Sequence, residues 1–160
     1  MYSYIIVDDL PLIRRLLIKE IAGFEGVLQF IGEADNGKDA LELVQKKNPD
    51  IIFMDMKMPV MDGKTLLKTL QMDYPEKKII VISGYSDFEY LQEAISARVV
   101  NYLLKPFNRE EIHDALKKAI LSLEKDKLFK EKIESIETEN EQICYDADLQ
   151  SLCNTILGVN

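Results

Sequence analysis

Ile51-Ile-Phe-Met-Asp-Met-Lys-Met-Pro-Val-Met-Asp-Gly63 is an apolar run that stops abruptly on an acid, Asp55. Ile51–Met54 is continuous rather than alternating, the pattern of a short strand covered on both faces in a parallel sheet. Open α/β sheets place their ligand chemistry at the carboxyl ends of such strands, so Asp55 stands where a reactive carboxylate would be useful. The competing reading of a strand-end Asp is a helix cap. Here Pro59 intervenes, and Asp62 is better placed to cap a helix beginning near Gly63.

Similar cycles lie on either side. Residues 4–7 read as a strand ending on Asp8-Asp9, and Pro11 opens a helix striped by Ile13, Leu16, Leu17 and Ile21, which Gly23 closes. Residues 28–32 suit a second strand, Asn36-Gly37 a turn, and Ala40, Leu41 and Val44 a helix face that stops before Asn48-Pro49. Beyond the opening stretch, Leu66, Leu67 and Leu70 mark a third helix that Tyr74-Pro75 breaks, and residues 78–82 form a buried strand ending on Ser83-Gly84. Phe88, Leu91, Ala94 and Ile95 stripe a fourth helix. Residues 99–104 make a fifth strand, and Lys105-Pro106 ends it before a helix from about Asn108.

Strict β-α alternation predicts an α/β fold, a doubly wound parallel sheet with helices on both faces. An eight-fold barrel would need about twice the length. No glycine-rich phosphate loop follows any strand, which removes the main support for dinucleotide-binding and P-loop readings. The flavodoxin-like (βα)5 sheet with strand order 2-1-3-4-5 remains, followed by a C-terminal helical extension.

With 160 residues, 47% hydrophobic and 30% charged, the chain has room for one globular domain and an appendage. Its net charge of −8 argues against direct binding of nucleic acid, whose affinity comes from basic groups displacing counterions. Apolar runs are short and the N-terminus reads as neither signal peptide nor membrane span, so a cytoplasmic location without membrane contact is expected. Cys144 and Cys153 are expected as free thiols.

In the order 2-1-3-4-5 the first and third strands are neighbours, so Asp8, Asp9 and Asp55 meet in one pocket. Carboxylates this close raise one another's pKa unless a cation neutralises them, and hard oxygen ligands with room for waters describe Mg²⁺. Ser83 and Lys105, ending the fourth and fifth strands, add a hydroxyl and an ammonium. An aspartate nucleophile, a metal and a lysine make a phosphoryl-acceptor site. Singly, each residue has a plain alternative: a cap for Asp8 or Asp9, a turn hydroxyl for Ser83, a solvated cation for Lys105. Their coincidence at four strand ends carries the argument.

Over about residues 1–121 the chain resembles the receiver domain of two-component response regulators. The matching pieces are Ile6-Val-Asp-Asp9, Met54-Asp-Met-Lys-Met-Pro-Val-Met-Asp-Gly63, Ile82-Ser-Gly84 and Tyr102-Leu-Leu-Lys-Pro106. The resemblance implies that Asp55 accepts a phosphoryl group from a sensor histidine kinase. It implies that Asp9, Asp55 and the Lys57 carbonyl bind Mg²⁺ directly, with Asp8 assisting through water. It further implies that Ser83 and Tyr102 move as a switch, that Lys105 pairs with the phosphate, and that the Lys105-Pro106 peptide is cis. Such a protein is no enzyme beyond self-phosphorylation and slow self-dephosphorylation.

Two departures from the family pattern stand out. Leu10 replaces a third consecutive acid, which leaves two carboxylates for the metal, and Ala97-Arg98 replaces a common glycine, so the turn before the fifth strand is expected to differ. Ser83-Gly-Tyr-Ser-Asp-Phe-Glu-Tyr90 resembles the subgroup whose receivers precede an AraC-type helix-turn-helix output that controls transcription. The sequence contains no such output. Either a longer parent chain carries it, the reading we adopt, or the protein is a stand-alone phosphorelay receiver.

The rival enzyme is an aspartate-dependent phosphatase of the haloacid dehalogenase type, which needs a second acid where Lys57 stands. A flavin carrier of the same fold needs a phosphate-cradling loop where Asp8-Asp9 would repel phosphate. Lone His113 is expected to be a solvated surface group.

The domain division expected is 1–123 for the receiver and 124–160 for a helical linker and dimerisation extension. Residues 108–157 contain neither glycine nor proline. Ile112, Leu116, Ala119 and Leu123 form a stripe facing the sheet. Beyond it Phe129, Ile133, Ile136, Asn140 and Ile143 recur at four-three spacing, as in a coiled-coil seam with one polar position. A single solvated helix is the competing reading. Asp148 is expected to start another short helix with an apolar face of Leu149, Leu152, Cys153, Ile156 and Leu157, and the extension as a whole to join two chains as a homodimer.

Overall fold

The computed structural model describes residues 1–84 and 88–157, with the backbone alone for residues 145, 146, 148, 150 and 152–157. Two compact units succeed one another along the chain, Met1–Leu123 and Glu124–Asn160. In the first, five parallel strands lie in the order β2-β1-β3-β4-β5, the flavodoxin-like arrangement. These are β1 (Tyr2–Val7), β2 (Leu28–Ala34), β3 (Ile51–Met54), β4 (Lys78–Ser83) and β5 (Asn101–Leu104), alternating with α1 (Pro11–Ile21), α2 (Gly37–Lys47), α3 (Gly63–Asp73), α4 (Phe88–Ser96) and α5 (Arg109–Leu157). A single 3-10 turn, Ala22–Phe24, follows α1.

The continuous apolar run of β3 has its cause in two cores, one on each face of the sheet. Ile52 and Met54 join Ile5, Val7 and Val81 under Ala40, Val44, Leu66, Leu67 and Leu70 of α2 and α3. Ile51 and Phe53 join Tyr4, Ile6, Ile80 and Ile82 under Leu17 and Ile21 of α1 and Ile112, Ala115, Leu116 and Ala119 of α5. A strand with period-two side chains and two buried faces has no position left for a polar residue. Register then sets the working edge. Val7 pairs with Met54, Met54 with Val81, and Ser83 with Leu104, so four strands end together.

Helix starts follow their caps. Pro11 sits at the first position of α1. The Asn36 side chain accepts from Asp39 N at the head of α2, and Asp62 accepts from Thr65 N at the head of α3. Asn48, at φ 50°, closes α2 in the left-handed region that asparagine tolerates.

Several expectations change in detail. Strand β5 begins at Asn101 rather than at residue 99, because the amides of Ala97, Arg98 and Val99 bond back to Glu93, Ile95 and Ala94 at the end of α4. Arg98 takes φ 55°, so an arginine adopts the left-handed conformation that glycine would supply. The apolar stripe locates α4 correctly, yet only Ala94 is buried, and Phe88, Leu91 and Ile95 are exposed. Instead α4 is joined to α3 by Lys64 to Glu89, by Lys64 and Lys68 to Glu93 (3.5 and 3.8 Å), and by Gln71 Nε2 donating to Ser96 O (3.1 Å).

His113 is half-buried rather than solvated. Its ring stands edge-on to Phe24 at 4.9 Å, and its Nε2 lies 3.0 Å from Glu20 O, because α5 packs beside the end of α1. No second helix starts at Asp148: α5 continues to Leu157, as a segment without glycine or proline permits. The side chains of Leu152, Cys153, Ile156 and Leu157 lie outside the described residues. Cys144 is a free, exposed thiol. Among the described residues, no helix is long and apolar enough to cross a membrane.

Candidate functional site

Four strand ends deliver the predicted side chains to one edge of the sheet. Asp8 and Asp9 follow β1, Asp55 follows β3, Ser83 ends β4 and Lys105 follows β5. A backbone bond from Asp55 N to Val7 O (2.9 Å) carries the β1–β3 pairing one residue beyond the ladder and fixes Asp55 beside the acidic pair. Asp8 and Asp55 are buried, at 2% and 6% exposure, while Asp9 is half-buried.

The Lys105 ammonium holds the carboxylates together, 2.7 Å from Asp8 Oδ2 and 3.4 Å from Asp55 Oδ2. Met56 N donates to Asp55 Oδ1 (2.8 Å), and a backbone bond from Lys57 also favours the carboxylate. Burial nevertheless pushes the Asp55 pKa above its ordinary value, with the Asp8 charge adding to the rise and Lys105 opposing it. Burial would lower the Lys105 pKa, but its bond to Asp8 and the charges of Asp55 and Asp8 outweigh that, and the net shift is upward. Lys105 is therefore a firmly charged cation, and Asp55 a carboxylate poorly compensated for its burial.

A cavity of about 290 Å³ opens against these groups, lined by Asp9, Leu10, Asp55, Lys57, Gly84 and Lys105. Ser83 is not among its walls. It is fully buried, its backbone carbonyl accepts from Lys105 N (2.8 Å), and the neighbouring Gly84 faces the cavity instead. Tyr102, in the middle of β5, is half-buried and packs against the α2–α3 core. The Lys105-Pro106 peptide bond is cis.

Asp8, Asp9 and Asp55 each present a carboxylate oxygen, all within 4.8 Å of one another. This all-oxygen set fits a hard divalent cation such as Mg²⁺, which keeps several waters and takes one or two carboxylates. The three acids are not equivalent. Both oxygens of Asp8 already accept a bond, Oδ1 from Leu10 N (2.8 Å) and Oδ2 from Lys105, which leaves Asp8 fewer open acceptor positions than its neighbours. Asp9 and Asp55 face the cavity and are the better direct ligands.

Two supports escaped the sequence reading. Arg14 Nη1 donates to the Asp8 carbonyl (2.6 Å) and its Nε lies 3.3 Å from Glu33, bracing the acidic pair from α1. In the sequence Arg14 was simply a polar residue off the apolar stripe, and nothing local marked it. Gly63 is the other. A Cβ there would lie 2.3 Å from Asp55 O and 2.4 Å from Met56 Cα, so α3 starts directly against the backbone that carries Asp55. The Asp62-Gly63 pair after the strand was the available signal.

A larger cavity of about 740 Å³, with Leu70, Tyr74, Lys77, Lys78, Arg98 and Lys118 in its wall, contains none of these acids. The three acids and Lys105 gather at the smaller one.

Comparison with known proteins shows the family. A family model described as the response regulator receiver domain matches residues 4–117. The uncharacterized transcriptional regulatory protein YesN of Bacillus subtilis (strain 168) is 36% identical over 163 residues, covering 99% of this chain and 43% of YesN. Sporulation initiation phosphotransferase F of the same organism is 37% identical over 114 residues, 71% of this chain and 90% of that protein. Among solved structures, the REC domain of AraT, a response regulator from Geobacillus stearothermophilus, superposes with a TM-score of 0.73 at 36% identity, covering 79% of this chain and 98% of that one. The chain thus spans less than half the length of YesN.

Proposed function

The chain belongs to the response regulator receiver family, and from that premise we propose that it takes a phosphoryl group on Asp55 from a sensor histidine kinase and passes the signal to transcription. The observation that carries this reading is the Asp55 carboxylate, buried, short of compensating charge and open to a cavity bounded by Asp9, Lys57 and Lys105.

One Asp55 oxygen attacks the phosphorus of a phosphohistidine. The new O–P bond forms as the P–N bond breaks, and the departing imidazole nitrogen keeps the electron pair. The Met56 and Lys57 amides orient the carboxylate, and Lys105, already within 3.4 Å of it, offsets charge on the transferred group. Asp9, Asp55 and the Lys57 carbonyl would hold Mg²⁺, with Asp8 bonded through water. The ion supplies charge neutralisation for the phosphoryl oxygens. Slow attack by water on the acyl phosphate regenerates Asp55, so the protein acts as a signal carrier and not as an enzyme on outside substrates. Lys57, where a phosphatase would need an acid, supports that limit.

Phosphorylation shifts a two-state equilibrium in which Ser83 and Tyr102 rearrange, and the exposed apolar side chains of α4 belong to the surface that reads it out. The likeness to YesN runs the length of this chain, including residues 124–160, whereas the likeness to phosphotransferase F covers 71% of it. That difference favours a transcriptional regulator over a stand-alone phosphorelay receiver, with DNA contact left to another part of the protein. We take the location to be the cytoplasm, where histidine kinases present their phosphate. The C-terminal unit joins two chains through its exposed apolar residues.

Incubation with acetyl phosphate and Mg²⁺ should add one phosphoryl group per chain. Asp55→Asn should remain unlabelled, and EDTA should suppress labelling of the parent. Equal labelling of Asp55→Asn, or full labelling in EDTA, would overturn the assignment.

A further inference from the structure

We propose that the C-terminal unit pairs with that of a second copy as a parallel, two-stranded coiled coil whose register is set by Asn140 facing the partner's Asn140. This rests on the reading that the unit self-associates, and adds to it the orientation, the register and the number of strands.

Every side chain from 124 to 144 is exposed on α5. Of the five large apolar ones, Phe129, Ile133, Ile136 and Ile143 are 40–68% exposed and share one seam of four-three spacing with Asn140, while Leu128, 64% exposed, lies off it. In heptad terms Phe129, Ile136 and Ile143 occupy d, and Ile133 and Asn140 occupy a. A helix destined for water has no reason to align its apolar residues at the 3.5-residue repeat that a partner helix requires.

Asn140 then decides between arrangements. Isoleucine at both a and d admits three or four strands, whereas one asparagine at an a site favours two, because a pair of amides can satisfy each other. In a parallel pair in register, a faces a, and the two amides meet. An antiparallel pair would set a against d. Every d residue of the seam is apolar, so the Asn140 amide would be buried without a partner.

Within the seam charge points the same way, although just upstream Lys125 at g would meet the partner's Lys130 at e. Lys132 falls at g and Glu137 at the following e, so a parallel pair in register sets each lysine beside the partner's glutamate, twice by symmetry. Within one helix the two are five residues apart and do not face each other, so the complementarity has a use only between chains. The seam is two heptads long, and the association is therefore weak and concentration-dependent.

The test uses the full chain with Cys144→Ser and Cys153→Ser as background. Ile133→Cys, at the other a site and with Asn140 kept, should form a disulfide-linked dimer under oxidised glutathione, since facing a sites lie within the Cα separation of about 4.4–6.8 Å that a disulfide spans. Thr138→Cys, at the outward f position, should link only at the background rate of collision. By sedimentation equilibrium the parent should reach two chains and no more, and Asn140→Ile should form larger species. Lys132→Glu should weaken pairing severalfold, and Lys132→Glu combined with Glu137→Lys should restore it. A parent monomeric at every soluble concentration overturns self-association and the pairing with it. A dimer whose Ile133→Cys form links no faster than Thr138→Cys overturns the orientation and register while self-association stands.

Discussion

Lys105 lies between two buried carboxylates, and without it Asp8 and Asp55 face each other with no cation between them. Because Lys105 opposes the upward shift of Asp55, Lys105→Met should move the Asp55 midpoint higher still, as followed by carbon NMR of the labelled carboxyl. An unchanged or lowered midpoint would show that the ion pair does not govern this carboxylate. The same change should cost about 2–3 kcal/mol at neutral pH, below the roughly 3–5 kcal/mol of a fully buried pair, since Lys105 retains some contact with water. Positions 8, 9, 55, 83 and 105 were legible because each stands where an apolar run ends, and strand order brings those ends together. Their orientations were not. The burial of Ser83, the engagement of both Asp8 oxygens and the seat of His113 on Phe24 depend on neighbours far away in sequence, such as Glu20 against His113.

Helix α3 and the tail of α4 show backbone demands of opposite sign. Gly63→Ala would drive a methyl group to 2.3 Å from Asp55 O and 2.4 Å from Met56 Cα, both backbone atoms that cannot step aside alone. Urea unfolding should show a loss of about 2–3 kcal/mol, in the range of a strained overpacked site. Arg98→Gly should instead gain about 0.5 kcal/mol, relief of the left-handed strain at φ 55° less the greater freedom of glycine in the unfolded chain. An unchanged urea midpoint for Gly63→Ala would refute the close approach. Elements of this size were readable from periodicity and punctuation, as Leu66, Leu67 and Leu70 between Asp62 and Pro75 illustrate. The start of β5 was not, because a hydrophobic pair such as Val99-Val100 reads as strand although the Val99 amide is already bonded to Ala94. Periodicity likewise located α4 without revealing which of its apolar residues lack cover.

For the molecule as a whole, the acidic pocket is expected to set a dependence on pH and on metal. The Asp55 pKa is raised by folding above its ordinary 3.8, so the native state holds that proton more tightly than the unfolded chain does. Stability present below the ordinary value is lost as pH rises through the folded one. Asp55→Asn should therefore melt above the parent at neutral pH, and the gap should close as pH falls into the acid range. Mg²⁺ at about 100 times its Kd should stabilise the parent by about 2.7 kcal/mol, an effect that EDTA reverses and Asp9→Asn abolishes. Absence of any Mg²⁺ shift in melting temperature would count against the metal site. Helix α4 has one buried side chain and is tied to α3 by lysine–glutamate pairs that water reaches. Dissolved ions weaken such ties and leave buried apolar contacts almost untouched. A rise in salt is expected to loosen α4 with no chemistry at Asp55, and faster hydrogen exchange of the α4 amides at high ionic strength would show it.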